Sequence, residues 1–134
     1  MRNLEIRTTK QAEFVVITSK VQRIIEELGI KEGICVVSIP HTTAGITINE
    51  NADPDVVRDL LYKLDQLVPN HDPNYRHFEG NSAAHLKASL MGNSVSVPVH
   101  NGKLALGTWQ GIYFCEFDGP RTRKIYIQAI SSSI

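Results

Sequence analysis

The sequence predicts an α+β domain built mostly from antiparallel β-sheets, with about three helices. Two observations carry this prediction. Stretches with helical apolar periodicity are separated by pairs of short, β-branched runs, and the closing half of the chain consists almost entirely of hairpin-like strand pairs. Strand–helix–strand units near the N-terminus also allow one parallel pair. No linker, repeat or low-complexity tract divides the 134 residues, so residues 1–134 are predicted to form a single domain.

The charge balance and the apolar runs argue against several classes of protein. The chain carries 14 basic and 14 acidic residues, and its formal net charge of zero argues against a general surface for nucleic acid or anionic membrane. Its apolar runs are far shorter than a membrane span, and the N-terminal segment lacks the apolar stretch of a signal peptide. We therefore expect a cytoplasmic protein that binds neither nucleic acid nor membrane.

The first third of the chain predicts two strands and a helix. Residues 4–8 and 12–18 have the β-branched and aromatic content of strands. A helix is predicted to begin at Ser19, because Gln22 follows at the spacing of a capping box. Gly29 is predicted to end this helix.

Two further strands and a second helix occupy the middle of the chain. Residues 34–39 form a short apolar run typical of a buried strand, and residues 44–49 alternate between apolar and polar side chains. Asp53 has the chemistry of a helix cap and precedes a proline at the first helical position. A helix is therefore predicted over residues 54–68, where a wide apolar stripe recurs at helical spacing.

A long irregular loop and a third helix follow. Residues 70–80 lack periodicity and carry an excess of polar groups. A loop of that length inside a compact domain usually has a function or is disordered. The third helix is predicted over residues 83–91, with Asn81 or Ser82 as its cap.

The last third of the chain predicts a hairpin and two more strands. Alternating apolar side chains at 95–99 and 104–106 flank Asn101-Gly102, which is the strongest short hairpin signal in a sequence. Residues 112–117 and 124–130 are predicted to be the closing strands.

Three histidines form the main candidate for a metal site. His41 follows a predicted strand, His77 lies in the irregular loop, and His85 lies near the first turn of the third helix. Three protein ligands with one open position are the arrangement of a catalytic zinc, and carboxylates such as Glu50 and Asp53 can complete the site. Magnesium would prefer the carboxylates. Histidines in these positions are also often hydrogen-bonded or exposed residues without a metal.

Several other polar groups each allow two interpretations. Thr42 and Thr43 either offer hydroxyls to a phosphate or belong to an ordinary loop. Trp109 is either a flat platform for an aromatic ligand or a corner residue packed on the core, and Gln110 beside it adds a directional donor and acceptor. Arg121 begins a basic cluster that suits phosphate, although most such clusters are solvated hairpin tips.

Six sets of motifs are spread over nearly the whole chain. They are His41-Thr42-Thr43-Ala44-Gly45, Asn49-Glu50-Asn51-Ala52-Asp53, the segment 81–87, Gly92-Asn93-Ser94 with Val97-Pro98-Val99, the segment 106–110, and the segment 116–121. Together they resemble the YjbQ family, which is also labelled the secondary thiamine-phosphate synthase family.

This resemblance implies a compact α+β fold with a β-sandwich-like core, a homotrimer, and a site at the subunit boundary. It also implies weak thiamine-phosphate synthase activity, which joins a pyrimidine diphosphate to a thiazole phosphate with loss of pyrophosphate. His41, Asp53, His77 and His85 become the site candidates by this resemblance. The residues expected to contact the phosphorylated substrate are Thr108, Trp109, Gln110 and Arg121, joined by Thr42, Thr43 and Asn81 from the same motifs.

Three functions are compatible with these residues. The first is a transferase of the thiamine-phosphate synthase type, in which Arg121 and a divalent ion, zinc or magnesium, neutralise the departing pyrophosphate. The second is a metal-dependent hydrolase of a small phosphorylated or cyclic substrate, with Glu50 or Asp53 as the base. The third is a trimer that binds a ligand without catalysis.

Overall fold

The computed structural model describes residues 1–132 of the chain, which contain three helices and eight strands. The helices are α1 (Thr18–Leu28), α2 (Pro54–Leu67) and α3 (Ser82–Met91). The strands are β1 (Arg2–Arg7), β2 (Glu13–Val16), β3 (Gly33–Ser38), β4 (Ala44–Glu50), β5 (Ser94–His100), β6 (Lys103–Leu104), β7 (Gln110–Glu116) and β8 (Thr122–Ser131). Among these residues no helix is long and apolar enough to cross a membrane. The predicted domain extends over residues 133 and 134, which lie outside the described part.

The strands form two antiparallel sheets. The larger sheet has five strands in the order β1-β8-β3-β5-β6 and curls into half a barrel, and the smaller has three strands in the order β2-β7-β4. The predicted α+β class, the three helices and the antiparallel pairing are confirmed. The parallel pair that the N-terminal units allowed does not form within residues 1–132, because every strand pair found there is antiparallel.

The hairpin prediction is confirmed for one pair of strands and is wrong for another. Asn101 and Gly102 turn β5 into β6 with φ values of 52° and 77°, in the left-handed region that this residue pair adopts readily. The strands β7 and β8 are consecutive but do not pair, since β7 lies in the small sheet and β8 in the large one. The crossing segment, residues 117–121, therefore carries the chain from one sheet to the other.

The main hydrophobic core lies between α1 and the two sheets. Val21, Ile24 and Ile25 of α1 are buried there together with Ile46 and Phe114 of the small sheet. Burial of each such side chain contributes roughly 1.5–3 kcal/mol to stability.

The start of α1 differs from the predicted capping box. Its N-cap is Ile17, and no side chain caps the first turn. Gln22 instead accepts a hydrogen bond from the amide of Leu104 and donates one to the carbonyl of Gly102, both at 2.9 Å. These partners on the β5–β6 hairpin draw Gln22 away from the helix terminus. Gly29 ends the helix at a φ of 69°, as predicted.

The second helix, α2, has the predicted start but an apolar stripe that is largely uncovered. Asp53 caps the helix by accepting a hydrogen bond from the amide of Asp55 at 2.9 Å. Among the residues of this helix only Leu64 is buried, whereas 67% of the surface of Leu67 is exposed. The helix therefore rests on the domain through a narrow strip.

A buried ion pair joins the two sheets. Glu116 at the end of β7 and Arg123 near the start of β8 are 0% and 2% exposed. Arg123 donates two hydrogen bonds to the carboxylate, one of them from Nε at 2.8 Å. The carboxylate also accepts from the hydroxyl of Thr8 at 2.8 Å and from the next two backbone amides at 3.0 Å each. Burial alone would raise the pKa of Glu116, but these donors outweigh burial and lower the pKa.

The variant Glu116→Gln tests how far stability depends on this ion pair. We expect the free energy of unfolding to fall by about 3–5 kcal/mol, because Arg123 becomes a buried charge without a counter-ion. Urea denaturation measures the loss. The exposed Glu5→Gln is the matched control, with an expected change within about 0.5 kcal/mol.

Adding Arg123→Met to Glu116→Gln removes the uncompensated charge, so the double variant should recover part of the stability. A double variant that is destabilised by the full sum of the two single changes would contradict the coupling of Glu116 to Arg123.

Candidate functional site

A pocket at one end of the small sheet gathers most of the predicted site residues. Three segments meet there, namely the β3–β4 loop, the crossing segment between β7 and β8, and the loop that leads into α3. We call this cavity of about 470 Å³ the histidine pocket. Its lining residues are Pro40, His41, Thr42, Thr43, His77, Glu79, Asn81, His85, Asp118, Arg121 and Arg123.

His41 is a neutral hydrogen-bond donor in the wall of the histidine pocket. Its Nε2 accepts a hydrogen bond from the backbone amide of Lys124 at 2.9 Å. An accepting nitrogen carries no proton, so the neutral ring is protonated on Nδ1. Burial lowers the pKa of His41, and the positive charge of Arg123 acts in the same direction. The ring is therefore neutral at pH 7.

His77 and His85 lie side by side in the same pocket. Their ring centroids are 5.6 Å apart, and the ring planes meet at 85°. The Nε2 atom of His77 lies 3.9 Å from a carboxylate oxygen of Glu79. His85 also lines two adjoining cavities of about 570 and 540 Å³. His85 therefore stands where the three cavities meet.

The guanidinium of Arg121 provides a positive charge in the pocket, and Asp118 holds this side chain in position. The Nε atom of Arg121 donates to the carbonyl of Asp118 at 2.9 Å, and its terminal nitrogen lies 3.2 Å from the carboxylate of the same residue. Half of the Arg121 side chain is still exposed to a ligand. Asp118 also accepts from the amide nitrogen of Asn81 at 3.0 Å.

The side chain of Asn81 is thereby directed away from the helix it precedes. Asn81 is the N-cap residue of α3, as predicted, but its side chain makes no capping hydrogen bond. Its Oδ1 atom is buried and has no partner among the described residues. An N-cap without a side-chain acceptor leaves the first amides of α3 available to an external acceptor.

The two threonines of the β3–β4 loop have different surroundings. Thr43 is buried, and its hydroxyl accepts a hydrogen bond from Arg123 at 2.9 Å. Thr42 is exposed at the mouth of the pocket. The hydroxyl of Thr43 therefore belongs to the buried hydrogen-bond network around Glu116 and Arg123. The hydroxyl of Thr42 is the one of the two that is open to a ligand.

Glu116, Asp118 and Arg123 were not among the predicted site residues, although the motif 116–121 and the basic cluster that begins at Arg121 include them. The pattern of β8 contains a signal for Arg123, because Arg123 is in phase with Ile125 and Ile127, which both face the core. Glu116 likewise ends a strand in which every residue after the first is buried. A charge at an inward position of a buried strand indicates a paired charge, and that signal applies to both residues.

The remaining predicted residues lie at the opposite end of the small sheet. We call them the distal group. Its members are Glu50, Asp53, Thr108, Trp109 and Gln110. Within one chain the length of β4, seven residues or about 20 Å, separates this group from the histidine pocket.

The distal group has its own local geometry. The carbonyl of Glu50 accepts a hydrogen bond from the hydroxyl of Tyr113 at 2.7 Å. Gln110 turns its side-chain oxygen back to the amide of Gly107 at 2.7 Å. Trp109 has 64% of its surface exposed, so it does not pack on the core. The indole is instead an open platform on the surface of the chain.

The histidines as they lie do not form a zinc site. Among residues 1–132, no group of three or more His, Cys, Asp or Glu side chains is arranged to hold a metal ion. The Nε2 atom of His41 is already engaged by the Lys124 amide, and coordination through Nδ1 would place two N–H groups face to face. The zinc or magnesium ion stays a prediction.

Comparison with known proteins identifies a set of close relatives. The family model described as UPF0047 protein YjbQ-like matches residues 2–132. The UPF0047 protein YugU of Bacillus subtilis is 56% identical over 128 residues, which cover 96% of this chain and 97% of that protein. The UPF0047 protein MJ1081 of Methanocaldococcus jannaschii is 52% identical, with 94% of this chain and 91% of that protein covered.

Two solved structures share the fold. A YjbQ/UPF0047 family protein of Clostridium acetobutylicum superposes with a TM-score of 0.95 at 54% identity, covering 97% of this chain and 100% of that chain. A conserved hypothetical protein of Thermus thermophilus, TT1486, gives a TM-score of 0.91 at 42% identity, with the same coverage.

The lowered pKa of His41 predicts a pH dependence of stability. Below the unfolded-state value of 6.5, the unfolded chain binds the His41 proton more readily than the folded chain. The free energy of unfolding should therefore rise with pH just below 6.5 and level off above it. Denaturation at several pH values measures this slope.

His41→Gln should reduce the slope, and its side-chain oxygen can still accept from Lys124. His71→Gln, at an exposed loop position, is the control, and it should leave the slope of the unfolding free energy against pH as in the wild type. An unchanged slope in His41→Gln would contradict the assignment.

Proposed function

The chain belongs to the UPF0047 protein YjbQ-like family, and from its histidine pocket we propose an enzyme that acts on a small phosphorylated substrate. The observation that carries the proposal is the convergence of three imidazoles and an exposed guanidinium on one cavity. Imidazoles supply proton transfer near neutral pH, and a guanidinium binds phosphate oxygens in a fixed geometry.

Phosphate binding in this proposal uses the N–H donors of the pocket. Arg121 is held by Asp118 and keeps half of its surface free, so its guanidinium is pre-oriented for an anion. His41 adds a neutral N–H donor, which binds phosphate without the desolvation cost of another buried charge. The first amides of α3, which no side chain caps, favour the same anion.

The reaction we propose is group transfer of the thiamine-phosphate synthase type. The thiazole nitrogen attacks the methylene carbon of the pyrimidine diphosphate, and the bond from that carbon to the diphosphate oxygen breaks. His85 donates a proton to the departing diphosphate, and Arg121 balances its negative charge. The cavities that adjoin at His85 support this choice, because a two-substrate reaction needs two binding spaces beside one acid.

Hydrolysis of a small phosphorylated or cyclic substrate is the second candidate. The contact of 3.9 Å between Glu79 and His77 favours it, since a carboxylate beside an imidazole can hold the ring in an orientation that reaches a water molecule. In this alternative His77 is the base, in place of the distal Glu50 and Asp53. Water then replaces the thiazole as the nucleophile.

Formation of thiamine phosphate from the two precursors tests the transferase. We expect His85→Asn to lower kcat about 100-fold or more, because the leaving group loses its proton donor. Arg121→Met should mainly raise KM for the pyrimidine diphosphate, while Arg58→Met on the exposed face of α2 changes neither value.

Each result assigns one function. Unchanged turnover in His85→Asn would overturn the acid role. Pyrophosphate release without thiamine phosphate would favour the hydrolase. Saturable pyrophosphate binding without any turnover would favour a trimer that only binds ligand.

A homotrimer with composite sites is the assembly we propose. Phe78, Leu86 and Leu90 are 91%, 47% and 62% exposed next to the histidine pocket or on the same helix as His85. Exposed apolar residues around a pocket are the usual mark of an interface. A neighbouring copy seated there would bring its own Trp109 and distal carboxylates towards His85.

Co-expression of His85→Asn with Trp109→Ala tests the composite site. Each variant alone should be inactive, whereas a random mixture should regain about one quarter of the wild-type activity, because one site in four receives two intact halves. Co-expression of two differently tagged His85→Asn chains is the control and should stay inactive. A monomer in analytical ultracentrifugation, or no regained activity in mixed trimers, would contradict the assembly.

A further inference from the structure

A second cavity lies between α1 and β1, and it shares no lining residue with the histidine pocket. It has a volume of about 530 Å³ and runs between one face of the helix and the N-terminal half of the strand. We call it the α1–β1 groove. The proposed enzyme function does not use this groove.

Both the strand and the helix contribute neighbouring residues to the groove. Arg2 at the start of β1 contacts Glu27 near the end of α1 at 2.9 Å. Leu4, further along β1, faces the groove together with Ser19 and Lys20 from the first turn of α1.

One side of the groove is a free sheet edge. The strand β1 stands at the end of the large sheet and pairs with β8 alone among the described residues. Every second residue of such an edge strand directs its N–H and C=O groups away from the sheet. Those groups repeat at the spacing of an extended chain, so they match an added strand.

The side chains of the groove are basic and partly apolar. The groove is lined by three positive charges, those of Arg2, Lys20 and Arg23. Glu27 is the one carboxylate among its lining residues and is already paired with Arg2. The side chains of Lys20 and Arg23 make no ion pair or hydrogen bond with any residue from 1 to 132.

The apolar part of the groove comes from one residue of each element. Ile24 of α1 is buried and belongs to the main core, and Leu4 of β1 packs partly buried against that core. They give a neighbouring side chain a surface to pack on. Because the whole chain has no net charge, the excess of positive charge is local to this groove.

We propose that the α1–β1 groove binds an acidic peptide in extended conformation, which adds a strand to β1. The strand edge pairs with the peptide main chain, and Lys20 and Arg23 pair with its carboxylates. Alternate peptide side chains meet Leu4 and Ile24, since side chains of a strand alternate between two faces. A small anion would use the charges but would leave the strand edge unpaired.

Fluorescence anisotropy with a labelled, acetylated peptide of alternating Glu and Val tests the proposal on the full chain. We expect saturable binding that weakens roughly tenfold or more in Lys20→Glu/Arg23→Glu, because both charge contacts become repulsive. Arg58→Glu/Lys63→Glu on exposed α2 is the matched control for net charge and should keep the affinity. The variant His85→Asn should also keep it, which separates this groove from the proposed enzyme function.

A second peptide separates strand addition from simple charge attraction. The same sequence with N-methyl groups on every backbone amide keeps its carboxylates but has no N–H group to donate along a strand edge, and it should lose binding. Hydrogen exchange should slow at the β1 amides when the unmodified peptide binds. Equal binding of both peptides, equal binding by the groove and control variants, or no saturable binding would each overturn the proposal.

Discussion

Glu116 and Arg123 form an ion pair in the interior of the protein, and the rest of the structure is arranged to satisfy it. Removing two charges from water costs several kcal/mol per ion unless every donor and acceptor finds a partner. Here Thr8 and two backbone amides donate hydrogen bonds to the carboxylate of Glu116, and Thr43 accepts a hydrogen bond from the guanidinium of Arg123. The two charges come from different sheets and these partners from three loops, so the network is complete only when all of them are in place.

The same network supports the histidine pocket above it. Arg123 contributes to the lowered pKa of His41, and Thr8 accepts from the amide of Arg121 at 2.9 Å. The groups inside the network have fixed partners and cannot move to a ligand. The half-exposed guanidinium of Arg121 remains for recognition. Stability and ligand binding are thus divided between neighbouring groups of one cluster.

Local patterns predicted most elements of the fold, and they were wrong where a distant residue competed. The helix start at Asp53, the stop at Gly29 and the hairpin at Asn101 depend on backbone geometry within a few residues, so the sequence was sufficient for them. The capping box with Gln22 failed because a strand edge offered that side chain better partners. The apolar stripe of α2 predicted more burial than occurs, since apolar periodicity within a helix does not show how much of the domain packs against that helix.

The sequence by itself determined the element types, the family resemblance and most of the residues that carry chemistry, because these follow from short motifs and local periodicity. Only the tertiary structure decided which of those residues meet. It joined His41, His77 and His85, which are far apart in the chain, and separated them from Glu50 by the length of β4. That outcome depends on how the two sheets are connected and packed. No local sequence pattern indicates that the chain passes from the small sheet to the large one between β7 and β8.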